Sequence, residues 1–202
     1  MSELPTTTVP GLGGYGGGAG NDPTNTRPTR RPLVWNGGTD IGLLLLRFAV
    51  GGVLFAHGAQ KVFGLWGGTG IAEFARMLEG YGYQQSVTLS WVVVIAELVG
   101  GAFVVLGVLT PLAAAGLLAI MINAVLVKLN NGFFITSAAG SDAIEFDVVL
   151  GLASAALVFT GPGRIALDNG RPWHRRPASW GVLALVIGIA VAVLVRILLR
   201  RP

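Results

Sequence analysis

Cysteine is missing from this chain of 202 residues, and histidine occurs only twice. The first absence excludes disulfides, thiolate catalysis, cysteine-ligated iron–sulfur clusters and covalent c-type haem. The second leaves His57 and His174, which fall at opposite ends of the apolar region and so cannot ligate one iron between them. Haem is thereby discounted. Charge is scarce as well: 12% of residues are charged, where a soluble domain of this length carries about a quarter. With 52% hydrophobic residues and a mean hydropathy well above zero, the composition implies an integral membrane protein. The net charge of +4 does not point to nucleic acid. Lys and Arg sit in short clusters beside apolar runs, a pattern that suits the positive-inside bias and anionic lipid. No strand precedes a phosphate loop, nucleophile elbow or dinucleotide fingerprint, so those chemistries have no foothold.

What is present is glycine, and long apolar runs. Residues 1–40 are polar and rich in Gly, Pro, Thr and Asn, with GLGGYGGGAG at their centre; such a segment buries too little apolar surface to order itself and reads as a flexible cytoplasmic tail rather than a cleaved leader. Five apolar segments follow, at about Ile41 to Phe63, Val87 to Leu109, Leu112 to Val127, Ile144 to Phe159 and Trp180 to Leu199. A helix needs about 20 residues to cross hydrocarbon. The fold class expected is therefore all-α: a four-helix transmembrane bundle over 41–161, a basic cytoplasmic loop over 162–178, and a fifth transmembrane helix over 179–202. Thr110-Pro111 leaves only a tight turn between the second and third spans, making them an antiparallel hairpin. Between the first two, Ile71, Phe74, Ala75 and Leu78 recur at helical spacing, which predicts a short amphipathic helix at the interface. Arg27, Arg30 and Arg31 before the first span, with Arg164, Arg171, Arg175 and Arg176 after the fourth, place the N-terminus in the cytoplasm of a multi-pass protein of the bacterial plasma membrane. Arg196, Arg200 and Arg201 at the end of the fifth span work against that rule.

The first span carries groups that lipid disfavours: Arg47, His57, Gln60 and Lys61. At about 1.5 Å per residue, Arg47 and Glu97 come within a long side chain of the same depth, so an intramembrane Arg47–Glu97 ion pair is expected. His57, Lys61, Lys128, Glu145 and Asp147 all fall near the outer interface, with Asn123 slightly deeper. Each of these helices has small residues on the same stripe as its polar group, such as Gly51 and Gly58 with Arg47, or Gly151 and Ser154 with Asp147. Small residues mark helix–helix contacts in membranes, so the polar groups are expected to face the bundle interior. The plain alternatives are a purely structural Arg47–Glu97 pair, and interfacial side chains snorkelling to water. The functional reading is an outward-facing polar pocket made by His57, Lys61, Asn123, Lys128, Glu145 and Asp147, taking a quinone headgroup, a small anion or another subunit. Trp66, Trp91, Phe133 and Phe134 are candidates to line it or to anchor the aromatic belt. A zinc site would need His57 with Glu145 and Asp147 from another helix, and no metal is expected.

Four pieces of this sequence carry a likeness to a known family: RFAVGGVLFAHGAQKVFG; ELVGG ahead of LGVLTP; NNGFF after the third span; and EFDVVLGLASAALVFTGPGRIALD. In that order, across Ile41 to Asp168, the chain resembles the DoxX family of small bacterial membrane proteins. The resemblance implies a four-helix membrane bundle with both its ends in the cytoplasm. Many members carry His where this chain has Lys128, so a mechanism needing that imidazole does not transfer. Similar proteins include a subunit of a thiosulfate:quinone oxidoreductase and membrane partners linking superoxide dismutase with a sulfurtransferase. Two functions are thereby implied. The first is an accessory or scaffold subunit of a respiratory or redox-defence complex, without catalysis or a cofactor of its own, whose partners are other membrane subunits, superoxide dismutase among the candidates, and lipid. The second is a quinone-reactive oxidoreductase subunit in which His57, Glu145 and Asp147 exchange protons with the headgroup.

Overall fold

Asp40, the last residue of the expected tail, is instead inside a helix, and its carboxylate explains why that helix starts early. The computed structural model describes residues 37–135, 143–171, 173 and 177–200, and α1 runs Gly37–Phe63. Asp40 sits in its first turn, where a carboxylate complements the helix dipole, and accepts the Arg164 backbone N–H at 2.9 Å. Residues 1–36 of the tail lie outside the described residues. The predicted interfacial helix is α2, Ile71–Gly80. Then come α3, Ser86–Leu106, and α4, Thr110–Lys128, joined by the expected tight turn. Gly107 there has φ +72°, a left-handed conformation that costs glycine little, and Pro111 opens α4, where its missing N–H is no loss. Two further helices, α5 at Glu145–Thr160 and α6 at Pro177–Leu199, complete an all-α membrane protein.

Helices α1, α3, α4 and α5 close into a ring, each packing on the next and α5 returning to α1, while α6 lies outside against α4 and α5. Glycine sets the closest seams. A Cβ on Gly51 would fall 2.6 Å from the Gly101 carbonyl, and one on Gly101 would fall 2.6 Å from that of Gly51, so α1 and α3 touch backbone to backbone. The added α6 is seated the same way: a Cβ on Gly181 would meet Val158 O at 2.5 Å, and one on Gly188 would meet Ala115 O at 2.7 Å. Leu54, Val104, Leu117 and Leu157 fill the interior. Large apolar residues such as Leu152, Val186 and Ile197 point outward, the arrangement expected when the surrounding solvent is lipid.

Among the described residues, four helices are long and apolar enough to cross a membrane: α1, α3, α4 with its 3-10 extension to Asn131, and α6. The third span is thus longer than its apolar run suggested. Helix α5, with 16 residues, is about 24 Å long and stops short of the roughly 30 Å hydrocarbon thickness. It fits because its first turn is polar and held by protein: Asp147 is paired with Lys128, and the Glu145 N–H donates to Phe133 O at 3.0 Å. The C-terminus of α6 docks on the α2–α3 linker, with Gln84 N–H donating to Leu199 O at 2.6 Å and Arg200 Nε to Tyr81 O at 3.1 Å. Of the basic end that conflicts with the charge rule, the docking uses Arg200.

A candidate intramembrane binding cavity

The polar residues of the bundle fall into two groups at opposite ends, and they do different work. At one end Arg47, 2% exposed, spends its guanidinium on backbone carbonyls. Nε donates to Val104 O at 2.9 Å and Nη2 to Val105 O at 2.5 Å, while Nη1 donates to Pro162 O at 2.9 Å and Ile165 O at 2.5 Å. The first two are end carbonyls of α3, where the helix dipole also favours a cation. The last two belong to the segment after α5, so Arg47 ties three parts of the chain together. Asp168 completes this end by accepting from the Leu109 N–H and, at 2.8 Å, from Trp173 Nε1.

The expected Arg47–Glu97 pair is therefore corrected. Gly58 packs directly over Glu97, a Cβ there lying 3.2 Å from Glu97 Cβ, and Gly58 is three helical turns, about 16 Å, from Arg47. Two side chains cannot bridge that separation while Gly51 stays seated on Gly101. Glu97 instead takes Lys61, whose Nζ lies 2.5 Å from Oε1, and the same ammonium sits 4.6 Å over the Phe74 ring, a favourable cation–π placement.

At this second end the helices enclose a partly open cavity of about 440 Å³, within the range of small-molecule sites. Its walls are mainly apolar, from Leu54, Val93, Ile120 and Leu150 in the ring and Val191 and Val195 of α6. Helix α2 contributes Phe74, Met77 and Leu78. Into this apolar space project His57, Lys61 and Glu97 from α1 and α3, and Asn123, Lys128 and Asp147 from α4 and α5. Five of the six pocket residues expected from the sequence thus meet in one place. Glu145 does not line it, being turned away at the start of α5. Trp66 and Phe134 are 72% and 67% exposed; neither they nor Trp91 and Phe133 line the cavity, which leaves them as interfacial aromatics.

The polar groups differ in how committed they are. Asn123 is fully used: Nδ2 donates to Ala119 O at 3.1 Å and Ala192 O at 3.2 Å, and Oδ1 accepts from Tyr83 OH at 3.3 Å. It fastens α6 and the α2–α3 linker to α4. Burial pushes the Tyr83 phenol above its ordinary value, with Arg196 and Arg200 pulling part of the way back, so Tyr83 remains a neutral donor. Lys128 and Asp147 neutralise each other. His57 Nδ1 lies 3.1 Å from Gln60 Oε1; with that oxygen as acceptor, Nδ1 carries the proton and Nε2 is left to accept. Glu97 was missed as a cavity residue, and its place follows from the α1–α3 glycine seam. The contribution of α6 was missed too, although Gly181, Ala184, Gly188 and Ala192 recur on one face and signal a buried seam. Among the described residues no cluster of three or more His, Asp or Glu side chains is placed to hold a metal ion.

Against this geometry the chain can be compared with known proteins. A family model described as DoxX matches residues 42–129, a span that contains His57, Lys61, Glu97, Asn123 and Lys128. A Bacillus subtilis (strain 168) protein named "Putative oxidoreductase CatD" is 30% identical over 136 residues, covering 64% of this chain and 86% of that protein. No solved structure matches.

Proposed function

This chain belongs to the DoxX family, and from that premise we propose that it is a quinone-reactive oxidoreductase subunit whose intramembrane cavity holds the quinone headgroup. The observation that carries the reading is the cavity itself: apolar walls reached from lipid-facing helices, with His57 and two lysine–carboxylate pairs converging inside. A quinone asks for that combination, a flat apolar ring with a polar oxygen at each end. The name of the similar Bacillus protein, "Putative oxidoreductase CatD", points the same way.

Quinone reduction takes up two electrons and two protons as two carbonyls become two hydroxyls. In this reading the two electrons come from a partner redox subunit. Its own residues handle protons. His57 accepts and donates a proton at Nε2, and Asp147, held by Lys128, is the second carboxylate beside the headgroup. We place the Arg164 and Arg171 end in the cytoplasm by the positive-inside rule, which turns the cavity toward the outer face of a bacterial plasma membrane.

The test is a titration of the purified protein in lipid nanodiscs with a short-chain benzoquinone and, separately, its quinol, followed by turnover in native membranes. Saturable binding, together with His57→Ala abolishing quinone-linked turnover while the protein still assembles, is the expected result. Absence of saturable binding by both quinone and quinol would overturn the reading.

A further inference from the structure

Glu97 carries an unmet hydrogen-bonding demand. Its side chain is 2% exposed, Lys61 occupies Oε1, and Oε2 is buried with no partner among the described residues. An unpaired carboxylate oxygen in an apolar setting is costly to leave. Glu97 lines the cavity, so a rotation of its carboxylate would present this oxygen to a ligand there. His57 adds a second acceptor in the tautomer whose Nδ1–H donates to Gln60, which leaves Nε2 free to accept. The cavity thus presents, beside the Lys61 and Lys128 ammonium donors, these two acceptors to whatever enters.

Quinone carbonyls only accept, and would leave both groups unmet. Quinol hydroxyls donate. Resting on the quinone reading of this cavity, we infer that the site is built for the hydroxyl-bearing reduced form, a para-dihydroxy aromatic whose hydroxyls donate to Glu97 Oε2 and His57 Nε2. A hydrogen bond to a charged group is stronger than a neutral one, so quinol should bind at least about tenfold more tightly than the matching quinone. Each tenfold of preference raises the two-electron potential of the bound couple by about 30 mV. The bound quinone is thereby a better electron acceptor than free quinone in the bilayer, which suits a site filled by reduction from a partner.

The experiment compares three probes on the intact protein in nanodiscs without oxygen: a short-chain benzoquinone, its quinol, and the dimethyl ether of that quinol. The ether keeps ring and tail but cannot donate. The expected order is quinol tightest, with quinone and ether at least about tenfold weaker. The Glu97→Gln, Lys61→Met double variant removes the carboxylate charge together with its cation, and should shrink the quinol preference to what the His57 acceptor alone supplies. Because the wild-type comparison needs no variant, a folding defect in the double variant leaves the test intact. Equal binding of all three probes by the wild-type protein would overturn the inference while leaving the quinone cavity standing. Tighter binding of quinone would overturn it as well, by showing that Glu97 donates. Failure of all three to bind would sink the cavity reading too.

Discussion

Arg47 illustrates how a charge survives inside a membrane protein by being spent entirely on the backbone. Its donors hold carbonyls at the end of α3 and in the segment after α5, and Gly107 leaves room for it, since a Cβ there would lie 2.8 Å from Nη2. Arg47→Ala would strip these carbonyls of their donor and is expected to cost at least about 3 kcal/mol, read as a lower thermal midpoint in detergent. Arg47→Lys should recover less than half of that, because a compact ammonium lacks the planar fork. Neither change should abolish ligand binding in protein that remains folded, since Arg47 is remote from the cavity. A functional role for this residue would show as lost binding without lost stability. The sequence conveyed that Arg47, His57, Lys61, Asn123 and Asp147 face inward, because small residues share their stripes. It did not convey which charge meets which. That choice depends on how far α1 slides along α3, and only the seating of Gly51 on Gly101 sets it.

At the scale of helices, stability and the cavity both depend on glycine seams. Gly51→Ala would drive a methyl against Gly101 O at 2.6 Å, and neither helix backbone can yield without opening the α1–α3 contact. A loss of about 1–3 kcal/mol is expected. Gly52→Ala, one residue on, meets nothing within 4 Å and should be neutral or mildly stabilising, since alanine is the better helix former. Equal effects of the two substitutions would show that the seam is not what holds these helices. Gly188 tests α6 in the same manner. Gly188→Leu should push α6 away from Ala115 O, break the Asn123–Ala192 hydrogen bond, and lower quinol affinity while circular dichroism stays helical. Unchanged affinity would mean that α6 does not wall the cavity. Existence and order of the apolar helices were legible from hydropathy alone, and so was the amphipathic spacing of Phe74 and Leu78. The length of α4 and the shortness of α5 were less so: Lys128 and Asp147 interrupt both apolar runs, yet they pair with each other and let the helices continue through the polar zone.

For the whole molecule, the direction of each helix follows from its contacts. Helix α1 ends, α3 begins, α4 ends and α5 begins at the cavity face, and α6 returns there to meet Tyr81 and Gln84. Asp40, Gly107 and Asp168 gather at the opposite face. The start of α1 and the end of α6 lie at opposing faces, which requires an odd number of crossings, so α5 must count as a crossing despite its 16 residues. The natural absence of cysteine makes this directly measurable, because each introduced thiol is the only one present. Gln85 and Asn169 are both exposed and lie in linkers at the two faces. In intact cells a membrane-impermeant maleimide should label Gln85→Cys, whereas Asn169→Cys should react only after the membrane is opened. The reverse pattern would keep the fold and invert its orientation, turning the cavity to the cytoplasm and setting the charge rule aside for this chain. Labelling of both positions in intact cells would contradict the topology itself. It would mean that α5 does not cross, that α6 does not return to the cavity face, and that Asn123 cannot reach Ala192 across the membrane.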